Sequence, residues 1–422
     1  MNSFPTTGPR RVLGLLVALA GASVRSDGDP RRELHDWVRA QAARHSSDDF
    51  VVSLAFKNFL VVGSAELSSH ILGQTPVTDG FVAGELKTKA MSYLAPSALT
   101  ISNDEAWRRR RSYNEQILSP GRPHDLRSRI LVGVHDAFST PVASLGEVRR
   151  RMARVMLAVD FGGTAPDSLA TDVDRLFGLV QNPLKRVLLG RINSRRKRRF
   201  YDELRVQWDE ASADSLVGIA RASGAGPSAE TLEQIPHWMF PFTTSGSELA
   251  ARTLALVGSR PGALERVRSE IDEASSLDDP DAVATLEFLE ACIWEAGRLF
   301  APVPHTFHAA SSTTFFGDRE IPAGIEIVHY FPISQRDISS DPTADDFRPD
   351  RWLEPGSDAK GRYPNLFLSG ARECPGRDLI LFVMKAALAR QLGPVGLRAE
   401  APRLSQDPLP LSFPAREIRL YA

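Results

Sequence analysis

The spacing of apolar positions changes character several times along the chain. Residues 30–45, PRRELHDWVRAQAARH, repeat their apolar positions at helical intervals, whereas DDFVVSLAFKNFLVVGS gathers β-branched and aromatic residues into two short runs. That segment predicts two strands with a turn near Lys57 and Asn58. From about 64 to 300 the pattern is nearly all helical, broken at LAPSA, LSPGRPHD, DFGGTAPDS and SGAGPSAE. Strand signals return in TTFFGDREIPAGIEIVHYF, an apolar helical run follows residue 376, and the tail is Pro-rich and short-stranded. No repeat or low-complexity linker divides the chain. The expectation is one unit, residues 1–422, mostly α with a small β-sheet region from about 48–63, 304–332 and 400–422, and a helical part at about 64–300 and 376–392.

Composition narrows the function classes. Over 422 residues the chain is 42% hydrophobic and 24% charged with a formal net charge of -1, which describes a globular protein with a large core. A nucleic-acid partner is excluded by the missing basic excess. The run RRKRR at 195–199 reads as a solvated helix face, because Asp202, Glu203, Asp209 and Glu210 follow and can pair with it. Its two cysteines, Cys292 and Cys374, are far apart and offer neither a disulfide framework nor zinc spacing, which points to a reducing, cytoplasmic compartment. At the N-terminus, GPRRVLGLLVALAGAS carries a basic lead, an apolar run from Val12 to Ala20 and an Ala-Gly-Ala. It reads either as a signal peptide over residues 1–22 or as a short helix leading into the first domain helix. The run falls well short of the ~20 apolar residues of a membrane span, so no membrane anchor is expected.

The chemistry-bearing stretch is FLSGARECPGRDLI, residues 367–380. A metal-binding thiolate needs backbone N–H donors or positive charge, since a free cysteine titrates near pH ~8.5. Gly370 and Gly376 allow a tight turn and close approach to a flat ligand, the helix that follows favours an anion at its N-terminus, and Arg372 can reach an acidic group on that ligand. A lone cysteine in such a place would read as a core thiol. Here Phe367, Gly370, Arg372, Cys374 and Gly376 fill every fixed position of Phe-x-x-Gly-x-Arg-x-Cys-x-Gly, and the loop resembles the haem-binding loop of the cytochrome P450 family.

Three further segments lie where that family has them: Glu295 and Arg298 in CIWEAGRLF, Pro349-Asp350-Arg351 in DDFRPDRWL, and Trp107 with Arg111 in DEAWRRRRSYN. The resemblance implies a cytochrome P450 fold holding haem b (iron protoporphyrin IX), with Cys374 as the axial thiolate. It also implies that Arg372, Trp107, Arg111 and His308 meet the propionates, and that Glu295, Arg298 and Arg351 form a structural triad. Cys292, one turn from Glu295, reads as core.

The departure lies in PHWMFPFTTSGSELAART, where the family's acid–alcohol pair is replaced. In one register the acid falls on Thr244 and the alcohol on Ser245; in the other, Gly246 and Glu248 match but Leu249 takes the threonine position. Pro236 and Pro241 should each remove a helical hydrogen bond there. The implied activity is haem-thiolate monooxygenation: one oxygen atom from O2 enters a small organic substrate, with Thr244, Ser245 and Glu248 as candidate proton carriers. The resemblance points to a bacterial type active in specialised metabolism, taking electrons from a ferredoxin or flavodoxin and its reductase. The alternatives are a haem-thiolate enzyme using peroxide or nitric oxide and a non-catalytic haem-binding protein. Residues 76–100 and 174–205 are expected to line the substrate pocket.

Overall fold

A small sheet, buried on both faces, comes first. In DFVVS and NFLVV, Leu60 and Val62 face one core and Phe50 and Val61 the other, and the two segments pair antiparallel as β2 (Asp49–Ser53) and β3 (Asn58–Val62). The Leu54 N–H donates to the Lys57 carbonyl at 2.9 Å to close the turn. β3 runs parallel to β8 (Glu326–Tyr330), which pairs antiparallel with β5 (His305–Ala310). β4 (Phe81–Ala83) closes one edge and β1 (Thr6–Thr7) the other, giving the order β1-β2-β3-β8-β5-β4.

The computed structural model describes residues 3–12, 29–54, 57–163, 165–181, 190–356, 359, 363 and 366–422. Beyond Val12 itself, the apolar run to Ala20 lies outside them. Two strand expectations change. β4 falls inside the stretch 64–300 that the sequence pattern makes helical, because three residues are too few to declare a period. The tail does not join the main sheet either: β9 (Arg398–Ala401) and β10 (Arg419–Tyr421) pair with each other. β6 (Thr314–Phe316) and β7 (Arg319–Ile321) likewise form a separate hairpin.

The helices that position the site are α1 (Pro30–His45), α2 (Ala65–Gly73), α3 (Glu85–Met91), α4 (Asp104–Leu118), α5 (Arg127–Phe138), α6 (Leu145–Phe161), α7 (Asp167–Gln181), α8 (Gly190–Glu210), α9 (Ile235–Thr243), α10 (Ser245–Gly258), α11 (Glu287–Leu299) and α12 (Arg377–Leu392). α12 is buried along almost its whole length, as a helix apolar on every face should be. It packs on α5, α10 and α11, while α6 packs on α5, α9 and α10. Among the described residues, no helix is long and apolar enough to cross a membrane.

α9 and α10 would be one helix but for a break at Thr244, where φ is -123° and ψ is -95°. Pro241, inside α9, has no N–H for the carbonyl four residues back. Pro236 behaves otherwise than its sequence suggests: it occupies the first turn of α9, where no intrahelical donor is required, and opens nothing. The basic run on α8 also finds partners other than the acids that follow it. Arg196 and Arg199 reach Asp172 of α7 at 3.4 and 2.6 Å, and Lys197 donates to the Tyr93 carbonyl at 2.6 Å.

Candidate functional site: a thiolate loop beside a cationic interior

A single 3₁₀ turn, Gly370–Arg372, folds the loop back on itself. The Cys374 N–H donates to the Phe367 carbonyl at 2.8 Å, and the Cys374 carbonyl accepts from Arg377 N–H at 3.2 Å as α12 begins. Gly370 has φ of +58°, and a Cβ built there would sit 2.6 Å from the Gly73 Cα at the end of α2. Glycine is therefore demanded twice, by backbone conformation and by packing. Gly376 is different: a Cβ would meet only Leu118 at 3.8 Å and the Cys374 sulfur at 4.0 Å, so the protein itself leaves room there. The Phe367 ring stands edge-on to Trp294, centroids 5.4 Å apart. Burial pushes the Cys374 thiol up, while a hydrogen bond from Gly376 and the charge of Arg111 pull toward the thiolate.

Beside this loop lies an interior group of bases on whose pKa values, among the described residues, no carboxylate acts. Arg372 donates to the Phe81 carbonyl of β4 at 2.6 Å, its Nε is buried without a partner, and burial lowers its pKa to about 10. Lys87 of α3 is lowered to about 8 by burial and by the charge of Arg372. His308 is held well below its usual value by burial, then by Arg372, His329 and Lys87, and its Nδ1 has no partner. His329 is lowered to about 3 by burial, Arg372 and Lys87; its Nδ1 meets Ser68 Oγ at 3.0 Å and its Nε2 meets nothing. The two imidazoles stand perpendicular, centroids 5.0 Å apart. None of the charges acting on these four residues is a carboxylate. Uncompensated interior bases are costly unless an anion completes them. A planar dianionic porphyrin with a metal for the Cys374 sulfur answers that imbalance in charge, and the room at Gly376 fits its flat face. Sequence reasoning found Arg372 and His308 but missed Lys87, which sits in no motif and is recognisable only once α3 is placed.

α4 brings Arg111 to the same loop and carries Trp107, half-buried, one turn earlier. Arg111 Nη1 donates to the Glu373 carbonyl, and its Nε meets Glu115 at 2.5 Å. One guanidinium thus ties α4 to the residue before Cys374.

The triad expected from sequence is assembled. Arg298 grips Glu295 with two hydrogen bonds of 2.8 Å, and both side chains are completely inaccessible. Arg351 Nε joins at 3.0 Å, and Trp352 Nε1 and the Arg348 N–H donate to the same carboxylate at 2.9 Å. Arg298 spends its remaining donors on the carbonyls of Gln335, Ala344 and Asp346. Cys292 is buried, as expected.

The three distal candidates are neighbours, but they are differently occupied. Thr244 Oγ1 donates to the Phe240 carbonyl at 2.6 Å, and Ser247 donates to the Phe242 carbonyl, so these hydroxyls serve carbonyls near the break. Glu248 is held by Arg31 of α1 at 3.2 Å. Among the described residues, Ser245 alone of the three has no recorded partner.

The model of the cytochrome P450 family matches residues 243–394, from the helix break through α12. Cytochrome P450 4c3 of Drosophila melanogaster is 26% identical over 201 residues, 46% of this chain and 37% of that protein. Cytochrome P450 monooxygenase BOT4 of Botryotinia fuckeliana is 31% identical over 169 residues, 38% of this chain and 32% of that protein. The chain therefore matches only about a third of the length of these curated relatives. Solved structures match over nearly the whole chain. Retinoic acid-bound cyanobacterial CYP120A1 has a TM-score of 0.72 at 20% identity, covering 91% of this chain and 93% of its own. CYP175A1 from Thermus thermophillus has a TM-score of 0.71 at 19% identity, covering 98% and 97%. At such identities the likeness speaks for the fold. The fold is shared with these solved structures, and the Cys374 loop falls inside the stretch that matches the family. Over residues 243–394, through the thiolate helix, the chain is similar in sequence to the cytochrome P450 family.

Proposed function

We propose that this chain is a haem-thiolate monooxygenase that inserts one oxygen atom from O2 into a small organic molecule. The observation that carries the reading is the Cys374 loop, with its Gly376 N–H donor, set beside interior bases that no carboxylate balances. Arg372, Lys87, Trp107, Arg111 and His308 would hold the propionates, where charge-assisted hydrogen bonds are the strong kind. Bound through a thiolate, haem b supplies dioxygen activation, with the sulfur favouring O–O cleavage. The chain's own part is to exclude water, keep the sulfur anionic and deliver protons. Ser245 is assigned the proton-handling hydroxyl, because Thr244 and Glu248 are already engaged. Electrons come from a separate ferredoxin or flavodoxin with its reductase, and specialised metabolism is the proposed setting.

The test is the absorption spectrum of the reduced, carbon monoxide-bound protein. Wild type should show the thiolate-type band, and Cys374→Ser should lose it, because a hydroxyl supplies no soft anionic sulfur. A wild-type band that survives in the variant refutes the assignment of Cys374.

A further inference from the structure

One face of the α9–α10 helix keeps accessible surface between buried neighbours. His237, Phe240, Pro241, Thr244, Ser245 and Glu248 all keep accessible surface, whereas Trp238, Met239 and Phe242 between them are buried. That spacing is a single helical stripe. Ser245, the residue assigned above, lies about two turns beyond His237 on this stripe.

His237 has no place in the account so far. Both of its ring nitrogens are buried and neither makes a hydrogen bond. Burial, and after it the charge of Lys87, lowers its pKa to about 4, so the imidazole is neutral at ordinary pH and offers one N–H donor and one bare nitrogen acceptor. Lys87 is the same side chain that feels the charge of Arg372 and acts on His308, so His237 shares the interior region of the bases beside the thiolate loop. Its immediate neighbours are flat and apolar. The ring stands edge-on to Phe240 at 5.2 Å, and Phe240 stacks on Phe177 of α7 at 4.3 Å with planes 10° apart. A polar side chain left with both valences open in an aromatic wall is costly to the fold, and a ligand group that hydrogen-bonds one of the nitrogens would recover part of that cost. A hydroxyl can meet the ring at either nitrogen, donating to the bare one or accepting from the N–H.

We propose that His237 is the polar anchor of the substrate pocket, and that the substrate is a ring-bearing apolar molecule whose hydroxyl sits against His237 while its flat body lies along Phe240 and Phe177. This deepens the monooxygenase reading by naming the substrate class, and it rests on that reading for the position of the pocket. A ketone or ether of the same shape can only accept from the N–H, whereas a hydroxyl can donate to the bare ring nitrogen, so a hydroxyl is favoured.

The experiment is equilibrium dialysis of the haem-loaded protein against 5-indanol, indane and 5-methoxyindane, probes that share one ring system. Wild type should bind 5-indanol roughly three- to tenfold more tightly than either of the others, the worth of one buried hydrogen-bonding arrangement. Partition from water alone would favour indane, so a preference of that sign cannot come from greasiness. His237→Phe should bring the 5-indanol-to-indane ratio to about one or below while keeping indane affinity, and His237→Gln, which still donates and accepts, should restore part of the preference. A wild-type ratio near one overturns the proposal without any variant, which keeps the test decisive if His237→Phe fails to fold. A preference that persists in His237→Phe also overturns it. Dialysis reads binding alone, so loss of the thiolate band in the spectral test would sink the monooxygenase reading without touching this ratio.

Discussion

Replacing Glu295 with Ala removes the centre of a closed ionic network, and its cost can be worked from the contacts. The carboxylate accepts two bonds from Arg298, one from Arg351, one from the Trp352 indole and one from the Arg348 N–H. After truncation Arg351 retains Asp341 at 2.5 Å and the Thr343 carbonyl, so its charge is still met. Arg298 retains only the carbonyls of Gln335, Ala344 and Asp346 and becomes a buried cation with no counter-charge. Breaking a fully enclosed pair in this way costs about 3–5 kcal/mol. Trp352→Phe, which deletes one donor to a charged acceptor, should cost about 1.5–3 kcal/mol. Native proteins have only ~5–15 kcal/mol to spare, so Glu295→Ala should unfold at markedly lower urea concentration and take up little haem. Trp352→Phe should fall between it and wild type. The assay is urea unfolding followed by circular dichroism, with haem content measured on the same samples. A Glu295→Ala protein with wild-type midpoint and haem content would show that the network contributes nothing, and a Trp352→Phe protein less stable than Glu295→Ala would reverse the assumed hierarchy.

Product formed per electron consumed, together with hydrogen peroxide released, distinguishes the distal candidates: Ser245→Ala should divert electrons to peroxide with a rate loss of roughly 10²–10⁴ in product, whereas Thr244→Ala and Glu248→Gln should couple nearly as wild type. If all three keep wild-type coupling, proton delivery from this stretch is wrong and a peroxide- or nitric oxide-driven reaction takes its place. Stability should also depend on pH. Burial, then Arg39 and Arg336, holds His35 at about 4 in the fold against its ordinary 6.5, with Asp345 opposing weakly. Between those values the unfolded chain binds a proton that the folded chain does not, so stability is complete above pH ~6.5 and is lost on acidification at about 1.4 kcal/mol per pH unit. His35→Phe should flatten that slope in urea midpoints taken at pH 7, 6 and 5, and an unchanged slope would contradict the sign of the shift.

The proximal half of the site was legible in the sequence because its chemistry is local. Cys374, Gly376 and Arg372 lie within a few residues of one another, and the Glu295–Arg298 spacing is a helical geometry that any reader of periodicity can see. What escaped reading depends on long-range placement. β4 is three residues long and exists because β5 offers it an edge. Lys87 becomes notable only when α3 puts it beside Arg372, which the chain reaches 285 positions later. Asp172 takes the charges of the α8 basic run from a neighbouring helix, where sequence proximity had favoured acids on α8 itself. The distal stripe was half legible. Pro241 foretold a break, but which hydroxyl the break would consume is decided by the carbonyls it leaves near Phe240 and Phe242.

The contact between Gly370 and Gly73 is one-sided, and that asymmetry governs how the two positions may drift over evolutionary time. A Cβ at 370 collides with backbone that cannot yield, on a residue whose positive φ already disfavours side chains, whereas a Cβ at 73 meets nothing within 4 Å. The partner that supplies the surface is free to vary and the partner that presses against it is not. Among descendants of this sequence Gly73 should be replaced readily by alanine or serine, which would also firm up the end of α2, while Gly370 stays fixed. A saturation library at the two sites, selected only for haem retention, should recover many residues at one position and essentially a single residue at the other.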